Sequence, residues 1–416
     1  MAEPDSTFEA ALAPIRAAVD DRILAGAVTL VWQGGQLRHL GATGYRDVDA
    51  GLSMAENTIF RIASMTKPVI SAATMALIDD GTIRLSDPIT TWLPEFAEMR
   101  VLKDPDGPLD ETFRAPRVIT VEDLLTHRSG LTYDFISTGP IAKAYHPLHT
   151  AAFSEPDEWI AAIAALPLVY PPGERFHYSH STDVLGLLIA RASGLPLNTL
   201  LRRRILDPLG MNDTDFFVPE HKASRLARLY GLGDDDRVVV ADRGYLTSMP
   251  TAAPALCRGG GALASTARDY LTFARTLLGG GQADGVRILS PESTAALRTN
   301  RLTPAQRKLP SFGLPYWTGR GFGLGLSVVM DPNEAALFGP GGTGTFGWPG
   351  AFGTWWHADP KADVILMFLP QWRMPDLDPK AALRRTATIR LQAAARAVRA
   401  GGVRRALDAT RPCRRS

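Results

Sequence analysis

The chain has 416 residues, 45% of them hydrophobic and 21% charged, with a formal net charge of +2; this is the balance of a globular protein able to bury a large core. Its basic residues are scattered, apart from a terminal cluster of Arg399, Arg404, Arg405, Arg411, Arg414 and Arg415, which excludes the stripe of a nucleic-acid binder. No apolar run reaches membrane-spanning length, residues 1–20 hold Glu3, Asp5, Glu9 and Pro14 instead of a signal-peptide core, and Cys257 and Cys413 are the only cysteines, so a cytoplasmic protein without a structural disulfide is expected.

Residues 8–24 carry apolar side chains at Phe8, Leu12, Ile15, Val19 and Ile23, a helical spacing that Gly26 closes. Two apolar runs, 27–32 and 36–41, bracket Gly34 and Gly35 and predict a β-hairpin. A short apolar Ile59-Phe60 segment then leads into Ser64-Met65-Thr66-Lys67, which opens a helical pattern through Ile70, Ala73, Leu77 and Ile78 up to Gly81.

From about residue 85 to 232 the pattern changes to Pro-rich loops separating helical patches at 121–126, 159–165 and 182–192. Strand signals return at 323–330, 353–357 and 364–368, before a final Ala-, Leu- and Arg-rich helix at 379–398. The expected fold is an α/β (α+β) one, with an antiparallel sheet flanked by helices and drawn from both chain ends. Residues 1–84 and 233–398 form that lobe, 85–232 a mainly helical insertion, and 399–416 a flexible basic tail.

Ser64 and Lys67 stand three residues apart at a helix start, so hydroxyl and amine share one face and can meet. Pro68 suits a first turn, where its missing N–H costs nothing, and a lysine desolvated there can take up a proton. There are seven lysines against thirty-eight arginines, and arginine cannot serve as a base. Alone, the pair is a weak signal, and a capping serine beside a surface lysine is its commoner reading. Tyr178 lies in the run Pro171-Pro172-Gly173-Glu174-Arg175-Phe176-His177-Tyr178, on a loop between rigid elements, where a phenol can shuttle a proton or simply pack. The stretch Gly347-Trp348-Pro349-Gly350-Ala351-Phe352-Gly353 reads as a glycine-lined edge strand whose backbone a substrate can approach, or as a Gly-rich turn with core aromatics.

At these three stations, in this order, the chain resembles the serine β-lactamase and penicillin-binding-protein superfamily, especially class C β-lactamases and family VIII carboxylesterases. Supporting segments are Phe60-Arg61-Ile62-Ala63, Leu124-Leu125-Thr126-His127-Arg128-Ser129-Gly130-Leu131 and Gly259-Gly260-Gly261-Ala262-Leu263-Ala264-Ser265, and the similarity runs from about residue 10 to 395. The resemblance implies a β-lactamase/transpeptidase-like fold, Ser64 as nucleophile, Lys67 and Tyr178 as the proton-transfer pair, and the amides of Ser64 and Ala351 as oxyanion hole. Two departures stand out: Tyr178-Ser179-His180 replaces Tyr-x-Asn, and Trp348-Pro349-Gly350 replaces Lys-Thr-Gly. The second removes the charge that meets a β-lactam carboxylate, a charge-assisted bond worth about 1.5–3 kcal/mol, so neutral esters of short to medium acyl chains are the expected substrates. β-Lactam or D-amino-acid peptide hydrolysis, acyl transfer, and a non-catalytic binding protein remain as alternatives.

Trp348, Gly350, His180 and Tyr133 are the candidate substrate-contacting residues. No metal or cofactor is expected: Gly321-x-Gly323-x-Gly325 is followed by no helix, and residues 339–345 lack a phosphate-loop lysine. His146 and His149 are read in a Pro-containing loop without a carboxylate cluster.

Overall fold

The computed structural model describes residues 6–151, 155–233, 235, 237–241, 248–335 and 341–373; the expected final helix at 379–398, the basic tail and Cys413 lie outside them. Among the described residues eight strands form the central sheet, in the order Arg320–Phe322, Ser327–Val329, Phe346–Gly347, Trp355–Asp359, Val364–Pro370, Gly26–Gln33, Gln36–Asp47 and Leu52–Ser53. Every pairing is antiparallel. Early and late chain segments therefore meet side by side, with Leu30 opposite Met367 and Val31 opposite Leu366. The hairpin closes through Gly34 and Gly35, at φ of 57° and 78°, the left-handed pair that the tightest right-twisting hairpin turn requires.

Both faces of this sheet are covered, and the period of two in its strands divides the work. Val28, Leu30, Trp32, Ile365, Met367 and Leu369 join the main core, while Ala27, Val31, Val364, Leu366 and Phe368 pack with Leu12, Ile15 and Ala18 of the helix Ser6–Asp20. The main core runs from the sheet through Val69, Ala72 and Met75 to Trp159 and Leu188. Each such side chain contributes about 1.5–3 kcal/mol when fully withdrawn from water.

The helix Thr66–Asp79 lies in the middle of this core, with residues 66–77 all buried, so it is enclosed on every side rather than striped. It packs against the helices Ser181–Ser193 and Pro291–Leu297, and Gly81 at φ 73° ends the turn beyond it. Just before it, Phe60–Arg61 pairs with Ala264–Ser265 and the Ile62 amide donates to the Leu263 carbonyl at 3.0 Å. That short ladder brings the glycine run 259–261 alongside Ser64 and Lys67.

Three sequence expectations need correcting. The run 323–330 is not one strand: Arg320–Phe322 and Ser327–Val329 are paired strands of a hairpin, turned where the Gly323 amide donates to Leu326 and Gly325 adopts φ 87°. Its glycines exist for contact, since a β-carbon on Gly325 would lie 2.0 Å from Ser71 Oγ and one on Gly323 2.1 Å from the Leu297 carbonyl oxygen. Phe346–Gly347 is an interior strand, not an edge, and residues 350–353 form the turn after it. Finally, His146 and His149 lie on a helix, Gly139–Thr150, where both bond the Asp134 carboxylate at 2.7 and 2.6 Å. Among the described residues no group of three or more His, Cys, Asp or Glu side chains is arranged to hold a metal ion, and no single helix is long and apolar enough to cross a membrane.

Candidate active site

Ser64 sits in a single 3-10 turn, Ala63–Met65, that runs into the helix Thr66–Asp79. The residue before it, Ala63, has φ 45°, a left-handed conformation that costs a non-glycine residue about 1–2 kcal/mol. The strain is held by the neighbouring ladder and by the Met65 amide bonding to Ile62 at 3.0 Å, and it sets Ser64 half-exposed between buried neighbours. The Lys67 amine lies 3.3 Å from Ser64 Oγ, as the three-residue spacing predicts.

Lys67 is 1% exposed. Its amine also donates to the Gly260 carbonyl at 2.5 Å and to the Tyr133 hydroxyl at 3.4 Å, so three neighbours fix its position beside Ser64. Gly260 is held in turn by its amide, which donates to Asp183 Oδ1 at 2.7 Å; a β-carbon there would lie 2.6 Å from Asp183 Oδ2. Only glycine lets the carbonyl come this close.

Tyr178 arrives from the opposite side. Its segment is strung along residues 127–132 by bonds from the Gly173 amide to Arg128 (2.7 Å) and from the His177 amide to His127 (2.8 Å), after the turn at Gly173, φ 85°. The phenol donates to Ser64 Oγ at 2.8 Å and receives the Trp348 indole N–H at 3.2 Å. The Lys67 amine lies 4.6 Å from the centre of the Tyr178 ring. Hydroxyl and amine from one stretch and a phenol from a second, distant one thus share one point.

Residues 350–354 pack against the segment that leads into Ser64. A β-carbon on Gly350 would lie 2.2 Å from Thr354 Oγ1 and 2.4 Å from the Ile62 carbonyl oxygen, so glycine alone allows this turn to sit against the segment preceding Ser64. The amides of Ser64 and Ala351 have no acceptor among the described residues. Unpaired backbone donors are what an oxyanion hole requires.

Burial and charge separate the roles of the remaining polar groups. Burial, Asp183 and Tyr178 push the Tyr133 phenol well above its ordinary range, so Tyr133 stays an O–H and donates to Asp183 at 3.4 Å. Burial would also raise the Asp183 carboxyl, but the His180 hydrogen bond at 2.8 Å and the charges of Arg258 and Lys67 hold it well below the usual range. Burial, with Lys67 next, drives His127 well below its ordinary value, and burial with Arg175 takes His177 down to about 4. Both are neutral at pH 7.

Among the candidates read from sequence, Ser64, Lys67, Tyr178 and Trp348 come together, and Gly350 packs against Ile62, two residues before Ser64. Tyr133 packs against Tyr178, ring centres 5.5 Å apart, and His180 lies against Tyr133 at 4.2 Å and is 1% exposed. Asp183 was missed because an acidic residue in a helix's first turn reads as a response to the helix dipole. The Gly260 carbonyl was missed because a backbone acceptor has no side-chain signature.

The sequence profile of the family described as Beta-lactamase matches residues 12–389. A protein of Mycobacterium tuberculosis is 52% identical over 372 residues, covering 89% of this chain and 91% of that one. Esterase EstB of Burkholderia gladioli is 30% identical over 371 residues, covering 85% and 87%. The solved structure of EstCE1, described as a hydrolase with promiscuous acyltransferase activity, superimposes with a TM-score of 0.74 at 25% identity, covering 93% of this chain and 98% of that one.

Proposed function

Because this chain belongs to the beta-lactamase family, we propose that it is a serine carboxylesterase, cleaving esters of short to medium acyl chains through an acyl-enzyme on Ser64. The observation that carries the reading is the meeting of Tyr178 and Lys67 at Ser64 Oγ, 2.8 and 3.3 Å away, under a tryptophan that bonds the phenol.

In the reacting form the Tyr178 and Lys67 pair is one proton short, and Ser64 Oγ attacks the ester carbonyl carbon as its proton passes to that pair. The carbonyl π electrons move onto oxygen, facing the Ser64 and Ala351 amides. When the C–O bond breaks, its electron pair leaves with the alcohol oxygen, which takes the proton from Tyr178. Water then attacks the acyl carbon, gives a proton to the pair, and the Ser64 oxygen departs carrying it. The acid and the hydroxyl are restored in balance.

Trp348 supports the ester reading over a β-lactam one, since an indole offers no positive charge to a carboxylate. Acyl transfer is the second reading, favoured by the acyltransferase description of EstCE1; the same acyl-enzyme serves any alcohol that outcompetes water. Stopped-flow hydrolysis of p-nitrophenyl butyrate is expected to show a burst, and Ser64→Ala to abolish both burst and turnover. Unimpaired turnover in that variant excludes the mechanism. Nitrocefin turnover as fast as ester turnover excludes the substrate class, and added alcohols that divert the product measure acyl transfer.

A further inference from the structure

Residues 311–314 form a tight turn beside the site, with the Ser311 amide donating to Leu314 at 2.9 Å and the Leu314 amide to Ser311 at 3.0 Å. Its two central residues are Phe312 at φ 55° and Gly313 at φ 67°. That pair of left-handed conformations ordinarily calls for Asn, Asp or Gly at the first position, and a bulky aromatic there is an outlier. Such strain persists only where the surroundings enforce it, and here they do: the Trp317 indole N–H donates to Ser311 Oγ at 2.7 Å, anchoring the turn to a buried ring cluster.

The strained conformation delivers the Phe312 ring edge-on to Tyr178, ring centres 5.4 Å apart, and to Tyr316 at 5.3 Å. Trp348 also packs against Tyr178, at 5.5 Å, and against Tyr316, at 6.3 Å. Phe312 is only half-buried, so part of its ring remains open to a ligand.

Tyr178 is the group that hands its proton to the departing alcohol, so whatever the alcohol oxygen carries must lie against the rings around Tyr178. We propose that Phe312, with Tyr316 and Trp348, forms a binding site for the alcohol half of the ester and selects uncharged, flat, aromatic alcohols. The inference rests on the esterase reading and adds the substrate class. Aromatic rings gain from edge-to-face contact beyond their simple burial, and three neutral rings supply no partner for a charged leaving group.

The test compares benzyl butanoate with methyl butanoate, which share an acyl group and have leaving alcohols of similar basicity. Phe312→Ala is expected to lower the benzyl-to-methyl ratio of kcat/KM about tenfold, equal to about 1.4 kcal/mol. Phe312→Tyr is expected to hold the ratio within about twofold, as is Leu314→Ala, which alters the exposed end of the same turn. A ratio unchanged in Phe312→Ala overturns the inference, as does an equal fall in Leu314→Ala, which would make the turn rather than the ring responsible. A change confined to an acyl-side pair, methyl phenylacetate against methyl butanoate, overturns the assignment to the alcohol half. If the native protein turns over neither ester, or Ser64→Ala turns over both, the esterase reading itself falls and takes this one with it. Fluorophosphonate labelling of Ser64 in each Phe312 variant shows that its site is assembled, so a changed ratio reports binding.

Discussion

Two phenols reach Lys67, and their surroundings give them different duties. Tyr133 is raised by burial beside the Asp183 anion and keeps its proton, whereas Tyr178 meets Ser64 Oγ and an indole N–H. Tyr178→Phe is expected to lower kcat/KM about 10²–10⁴-fold, the usual worth of a positioned acid–base group. Tyr133→Phe removes a support of Lys67 and is expected to cost about tenfold, so steady-state kinetics on one ester ranks the two. Trp348→Phe keeps the ring and loses the donor; about a tenfold fall in kcat with little change in KM is expected, the value of one hydrogen bond. The trio Ser64, Lys67 and Tyr178 was legible because each residue sits in a recognisable local motif. Asp183 and Phe312 were not, since their importance comes from what the fold sets beside them.

The elements that carry the site are short and depend on glycine. In the turn after Phe346–Gly347, the Gly350 amide donates to the Thr354 carbonyl at 2.7 Å and the Gly353 amide to Gly350 at 3.2 Å. Gly350→Ala forces a β-carbon into two atoms at once, an overpacking expected to cost about 1–3 kcal/mol of stability. By moving the Ala351 amide it is also expected to lower kcat more than tenfold, and denaturant melts beside burst kinetics check both. The sequence revealed the hairpin at Gly34-Gly35 and the helix after Ser64, where pattern and turn residues agree. It misread 323–330, because β-branched residues following glycines look like one strand whether or not the chain reverses between them. It also left the helix Gly139–Thr150 in a loop, because Pro147 argued against helix there.

At the scale of the molecule, buried neutral histidines set the acid limit. His177 is held down to about 4 and His127 lower than its ordinary value by burial, while in an unfolded chain both titrate near about 6.5. Below that value the unfolded state binds protons that the fold refuses, so stability is full above pH ~6.5 and falls as pH drops toward about 4. Asp183 works the same way at lower pH: its carboxyl is depressed, so its contribution survives until the pH falls below the ordinary carboxylate range. Calorimetry is expected to show Tm level from pH 7 to 8 and lower by about 5 °C at pH 5, with a smaller drop in His177→Gln. The mixed α and β layers were readable from the order of strand and helix signals. The continuity of the core from sheet to Trp159 was not, because sequence periodicity marks which faces are apolar and not which faces meet.

The strands Gly26–Gln33 and Val364–Pro370 lie side by side, although more than three hundred residues of chain separate them in sequence. On a ribosome the segment bearing Ser64 emerges early and waits, its neighbouring strand edge bare, until Val364–Pro370 is translated. Contacts this distant in sequence close slowly, so the nascent chain passes through a period when it carries Ser64 without the turn at Ala351 and offers an open strand to other chains. A nonsense mutation anywhere before residue 364 is therefore expected to give an insoluble product and not a weakened enzyme, which a solubility fractionation of truncated chains measures directly.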